Sequence, residues 1–168
     1  TTASNNTAVG SSALVANTTG DRNTGIGIGA AGKNTTGIRN TSVGAFSMED
    51  NTTGGSNVAV GHDALANNTT ASNNTAVGLS ALLTNTTGDE NTAVGSLSLD
   101  ANTTGADNAA LGHRALGGNT EGAGNTAIGN DTLLVNTTAD FNTAVGFGSL
   151  AANTTGESNV AVGVSALD

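Results

Sequence analysis

Any catalytic or metal chemistry in this chain has to start from two histidines, His62 and His113, and thirteen carboxylates, because there is no cysteine. Without a thiol, cysteine-ligated zinc and disulfides are both excluded, and the redox compartment stays open. The histidines lie 51 residues apart (113 − 62). Asp63 follows His62 directly and reads as a chance neighbour. Asp21, Asp89, Asp140 and Glu157 recur at a common spacing, but a calcium site needs several oxygens within ~2.5 Å of the ion, and the nonapeptide calcium-roll pattern is absent. These carboxylates read as a solvated, solubilising surface. Gly25 to Gly29 spell G-I-G-I-G, a superficial match to a phosphate-binding loop that lacks the rest of that motif. No catalytic constellation and no cofactor or metal site emerges, so the chain reads as a non-enzyme.

Eight N-T-T sequons remain, at Asn17, Asn34, Asn51, Asn68, Asn85, Asn102, Asn136 and Asn153. They suggest N-glycosylation. Against that, Asn119 keeps its place where Glu121 has removed the sequon, so asparagine is favoured there for the fold itself.

The elements that carry these residues follow from the composition and the spacing. Among 168 residues only Phe46, Phe141 and Phe147 are aromatic, whereas there are 25 glycines and no proline. Small residues bury little area each, so a thick globular core is not expected. Such a composition also suits a disordered chain, but the regular spacing argues for order. A net charge of −9, with Arg22, Lys33, Arg39 and Arg114 forming no cluster, disfavours nucleic-acid binding. No apolar run approaches the ~20 residues needed to cross a bilayer, so this segment is not expected to insert in a membrane.

Aligned on N-T-A-V-G, the chain is an unbroken array of 17-residue units beginning at Asn6, Asn23, Asn40, Asn57, Asn74, Asn91, Asn108, Asn125, Asn142 and Asn159. The consensus is N-T-A-V-G-x-x-A-L-x-x-N-T-T-G-x-x, numbered here as rows 1 to 17. A fixed short period is the mark of a solenoid, whose units stack on their neighbours. Residues 1–168 therefore read as one repeat array, entered at row 13 and left at row 10, and expected to be a window of a longer one.

Seventeen residues are too few for a helical hairpin, and the apolar spacing has no 3.6-residue period. The reading is all-β, a parallel β-solenoid of ten coils with two short strands each. The first strand is N-T-A-V-G, with rows 2 and 4 expected to point inward. The expected core is then Val9, Ile26, Val43, Val60, Val77, Val94, Leu111, Ile128, Val145 and Val162 from row 4. Leu14, Leu65, Leu82, Leu99, Leu116, Leu133, Leu150 and Leu167 from row 9 would face them from a second strand. Glycines of rows 5 and 15 would turn the corners, where positive φ is often needed. The row 1 asparagines would form a structural ladder from coil to coil. With coils ~4.8 Å apart, the rod is about 48 Å long, and His62 and His113, three coils apart in row 6, are ~14 Å from each other.

Row 3 holds only Ala, Gly or Ser, although alternation would turn it away from the valines. Another backbone close to it would explain the restriction, either across a shared axis, which suggests association as a trimer, or in a tight corner or inner layer of its own coil.

The N-T-A-V-G-x-x-A-L-x-x-N-T-T-G units resemble the repeats of phage tail-fibre and bacterial surface proteins. They are similar, more distantly, to the head repeats of trimeric autotransporter adhesins, which carry an S-V-A-I-G-like motif. The resemblance implies a left-handed β-roll, three chains side by side, an extracellular, cell-surface or virion setting, and a stalk or adhesive role toward a cell-surface or glycan receptor. Two alternatives stand beside it. One is an ice-binding solenoid using the Thr rows 13 and 14, weakened because adjacent strand residues point to opposite faces. The other is a self-assembling extracellular filament.

Overall fold

The computed structural model describes residues 2–168. Ten three-residue strands stack into one parallel sheet in chain order: β1 (Thr7–Val9), β2 (Thr24–Ile26), β3 (Thr41–Val43), β4 (Val58–Val60), β5 (Thr75–Val77), β6 (Thr92–Val94), β7 (Ala109–Leu111), β8 (Thr126–Ile128), β9 (Thr143–Val145) and β10 (Val160–Val162). Each pairs in register with the next, Thr75 with Thr92 and Val77 with Val94, so every repeat row becomes a line along the rod. The protein is an all-β parallel solenoid.

Each coil contributes one strand, not two. The expected second strand, through A-L to N-T-T, is a run of turns and bends. The reason lies in the backbone: row 7 and row 9 residues adopt left-handed conformations, as at Ser80 (φ 52) and Leu82 (φ 55), and a third such row is 17, as at Glu90 (φ 61). Alternating left-handed residues break an extended run but keep amides aimed along the rod. Ser80 N–H donates back to His62 O at 3.0 Å, while Leu82 N–H donates forward to Ser98 O at 2.9 Å and Thr84 N–H to Asp100 O at 3.1 Å. Coil-to-coil bonding therefore continues beyond the sheet and satisfies backbone groups that a loop would leave to water.

The inward phase of the strand is the reverse of the expectation. Row 3 is the buried one, with Ala59, Ala76, Ala93, Ala127 and Ala144 at 0% exposure. Row 4 faces out: Val9, Ile26, Val60, Leu111, Ile128 and Val162 are exposed, and Val43, Val77, Val94 and Val145 are partly so. Row 9 decides this. Leu65, Leu82, Leu99, Leu116 and Leu133 fill the narrow interior completely, joined by Met48, Leu14 and Leu150, and leave space for little more than a methyl opposite. At Gly25, where the methyl is missing, an added Cβ would already lie 3.1 Å from Leu14 Cγ. Leu167, in the last coil, is 65% exposed and stands outside the core. Val and Thr suit the outer face as well as the inner, because their stiff branched side chains favour extended backbone wherever they point.

This finding removes the argument for a shared axis drawn from row 3: the backbone pressing on those alanines belongs to their own coil. Polar replacements inside are made in pairs or bonded to backbone. Ser42 Oγ and Ser47 Oγ, on opposite walls of one coil, are hydrogen-bonded at 2.5 Å.

All ten row 5 glycines have φ between 127° and 141°. Row 15 behaves differently. None of its glycines needs positive φ; space is the constraint, since a Cβ on Gly88 would collide with Gly105 O. Ala71 and Ala139 nevertheless occupy this row, buried.

Candidate functional site

Two asparagine rows run beneath the surface, and both converge on the row 15 carbonyl. Asn85 Nδ2 donates to Gly88 O at 2.9 Å and to Asn68 Oδ1 of the preceding coil at 3.1 Å. From the other side, Asn74 Nδ2 donates to the same Gly88 O at 3.0 Å, while its Oδ1 accepts Asn91 N–H at 2.9 Å. The row 1 ladder thus passes through backbone N–H groups, and the amide-to-amide chain belongs to row 12.

This geometry bears directly on the sequons. Asn34, Asn51, Asn68, Asn85, Asn102 and Asn136 have 0% exposure, and each spends both Nδ2 hydrogens inside the rod. An N-linked glycan replaces one of those hydrogens and needs a path to solvent, so the folded rod does not accept it there. Asn17 and Asn153 are half-buried, with Nδ2 held by Gly20 O and Gly156 O.

Other residues singled out from the sequence are dispersed. His62 Nδ1 lies 2.9 Å from Asp63 Oδ2 and its ring meets Phe46 edge-on at 5.9 Å, so these neighbours do touch, on the exposed surface. His113 is a separate exposed residue three coils away. Asp21, Asp89 and Asp140 accept the N–H of Ser4, Ser72 and Ala123 in the preceding coil at 2.6 to 2.7 Å, a structural use beyond solvation. Glycines 25, 27 and 29 are a strand position, a row 5 corner and a row 7 turn beneath Phe46. Among the described residues no pocket is enclosed, and no three His, Asp or Glu side chains gather to share a metal ion.

The Thr rows lie on a bend, so strand alternation does not separate them, and both reach solvent. Their hydroxyls differ. Row 13 donates to the next coil, as Thr86 Oγ1 does to Thr103 O at 3.0 Å, whereas the exposed row 14 hydroxyls, such as that of Thr87, have no partner among the described residues. One free hydroxyl line results.

A regular surface runs along the outer face of the sheet, made of rows 2 and 4. Over ten strands it holds Thr, Val, Ile, Leu and one Ala, with no charged residue, on a chain of net charge −9. Along the edge where the strands begin runs row 17. There Arg22 and Arg39 precede β2 and β3, and Glu90 and Asp107 precede β6 and β7; all four are exposed. The remaining cations have partners: Lys33 Nζ lies 2.6 Å from Asp50 Oδ1, and Arg114 Nε lies 3.5 Å from Asp131 Oδ1. Arg22 and Arg39 form no ion pair among the described residues. Sequence reading missed this grouping because it measured separation along the chain, although the shared row 17 was there to be seen.

No protein-family model, no curated protein and no solved structure matches the chain.

Proposed function

We propose that this chain is a structural segment of an extracellular fibre or surface adhesin, a stiff rod that holds or forms a binding surface for a cell-surface or glycan receptor. One observation carries the reading: the row 12 amide chain runs without a break from Asn17 to Asn153, each Nδ2 bonded to the Oδ1 one coil earlier. Continuous buried polar ladders cost much to interrupt and resist bending, as a spacer requires. The fibre setting fits side-by-side copies or an end-to-end filament. Immunogold labelling of the intact source cell or particle with an antibody to the rod tests it. Label along surface fibres is expected; label confined to the cytosol refutes the proposal.

Ice binding keeps two supporting observations, the hydroxyl line of row 14 and the outward threonines of row 2. Row 14 lies on a bend outside the strands, and Val58, Ala109 and Val160 interrupt row 2, so neither completes a two-dimensional lattice; no thermal hysteresis is expected, and clear hysteresis would reverse this order.

A further inference from the structure

We infer that the uncharged outer face of the sheet is a self-association surface on which a second copy of this chain docks with its rod antiparallel. The inference rests on this face and its edge alone, independent of where the rod works.

Row 17 supplies the first argument. In-register stacking sets Arg22 beside Arg39, and Glu90 beside Asp107, on neighbouring coils ~4.8 Å apart, where like charges repel. None of the four has an ion-pair partner among the described residues, although Lys33 and Arg114 do. The order Arg, Arg, two uncharged residues, Glu, Asp is self-complementary about a point between β4 and β5. Consider a two-fold axis through that point, parallel to the strands. It sets two rods face to face and antiparallel, and it lays row 17 of one copy along row 17 of the other. Arg22 then stands opposite Asp107 of the second copy, and Arg39 opposite its Glu90. A parallel pair sets row 17 against row 6 and leaves the four charges unmatched.

The same operation matches the face. Row 4 brings Ile26 to Leu111 of the second copy and Val60 to its Val77, and the bulk of Leu111 is accompanied by the small Ala109 in row 2. Eight strands overlap, β1 to β8, giving a length of about 38 Å; at ~3.3 Å per residue, five residues across span about 16 Å. That is ~600 Å² per copy and ~1,200 Å² in all, above the roughly 1,000 Å² at which specific interfaces begin. β9 and β10 project beyond the overlap. The uncharged face is where two copies of −9 approach with least repulsion.

Light scattering and sedimentation of the parent rod should show a dimer that weakens as salt rises. Arg22→Glu with Arg39→Glu should weaken association at least tenfold, as should Glu90→Arg with Asp107→Arg. The chain carrying all four exchanges should recover it, with unchanged circular dichroism throughout. Orientation is read from thiols placed in this cysteine-free chain. Oxidising Ser11→Cys mixed with Asn130→Cys should give a crosslinked heterodimer, and neither alone should crosslink. A monomer at all concentrations, a trimer, no rescue by the four exchanges, or self-crosslinking of either single variant overturns the proposal. So does a monomer that binds ice through this face.

Discussion

Replacing Gly78 by alanine separates two reasons why row 5 is glycine. At φ +141 an L side chain carries backbone strain of about 1–3 kcal/mol. The new Cβ would also lie 2.5 Å from Gly95 O and 2.6 Å from its carbonyl carbon. Relief requires the next coil to move by roughly 1 Å, which stretches the bond from Gly95 N–H to Val77 O, now 2.8 Å, and loses ~1–3 kcal/mol more. Gly78→Ala should therefore cost ~2–6 kcal/mol in total. Two controls bracket it. Gly163 has φ +136, but the nearest atom to an added Cβ is Ala166 Cβ at 3.8 Å, so Gly163→Ala carries the backbone strain alone. Gly148 lies in row 7 at φ +63, with only Ser165 Oγ nearby at 3.5 Å, and Gly148→Ala should cost no more than about 1–2 kcal/mol. Urea unfolding followed by far-ultraviolet circular dichroism ranks the three, with the slope checked for loss of cooperativity. Equal losses at Gly78 and Gly163 would refute the steric half of the argument; a Gly78 variant as stable as the parent would refute both halves.

Leu82→Asp should cost at least ~4 kcal/mol, because a carboxylate replaces a fully buried side chain, while Ser80→Asp should be nearly silent, since Asp63 and Asp131 already occupy its row; thermal melts compare them. Asn85→Asp removes the donor shared by Asn68 Oδ1 and Gly88 O and sets a carboxylate against two acceptors, so a loss of ~3 kcal/mol or more is expected in the same melts. Burial pushes the Asp100 carboxyl above its ordinary range, with its backbone hydrogen bond and Arg114 opposing. Its folded pKa exceeds the unfolded one, so ionisation disfavours the fold. Asp100→Asn should raise the melting temperature at neutral pH, and the gain should vanish once pH falls below the ordinary carboxylate range; a constant gain at all pH would refute this.

The repeat period, and with it the parallel stack, could be read directly from the spacing of Asn, Gly and Leu, because in-register stacking imposes one environment on each row. The strand's facing could not. Thr-Ala-Val alternates equally well either way, and only the volume of Leu82 and its row decides that Ala76 is inside and Val77 outside. Left-handed Leu82, Ser80 and Glu90 are neither glycine nor asparagine: Leu82 is held by burial, and each donates its N–H to a neighbouring coil, Ser80 and Glu90 backward and Leu82 forward. At the candidate interface, the uncharged strands and the 17-residue step from Arg22 to Arg39 were both visible in the sequence, but that the charges border an outward face followed only once the strand's facing was known. The sequons of row 12 misled for a related reason: the amide that a transferase would modify is the one that joins coils.

Those joins have a further consequence for length. Nearly every side-chain bond spans 17 residues or stays within one coil, so removing any complete window of 17 brings equivalent rows together and leaves each surviving donor with an acceptor of the same kind. The molecule can thus be shortened or extended in steps of ~4.8 Å without redesign of its interior, while a change of any other size throws every row out of phase. A rod built this way is a ruler with one graduation per coil.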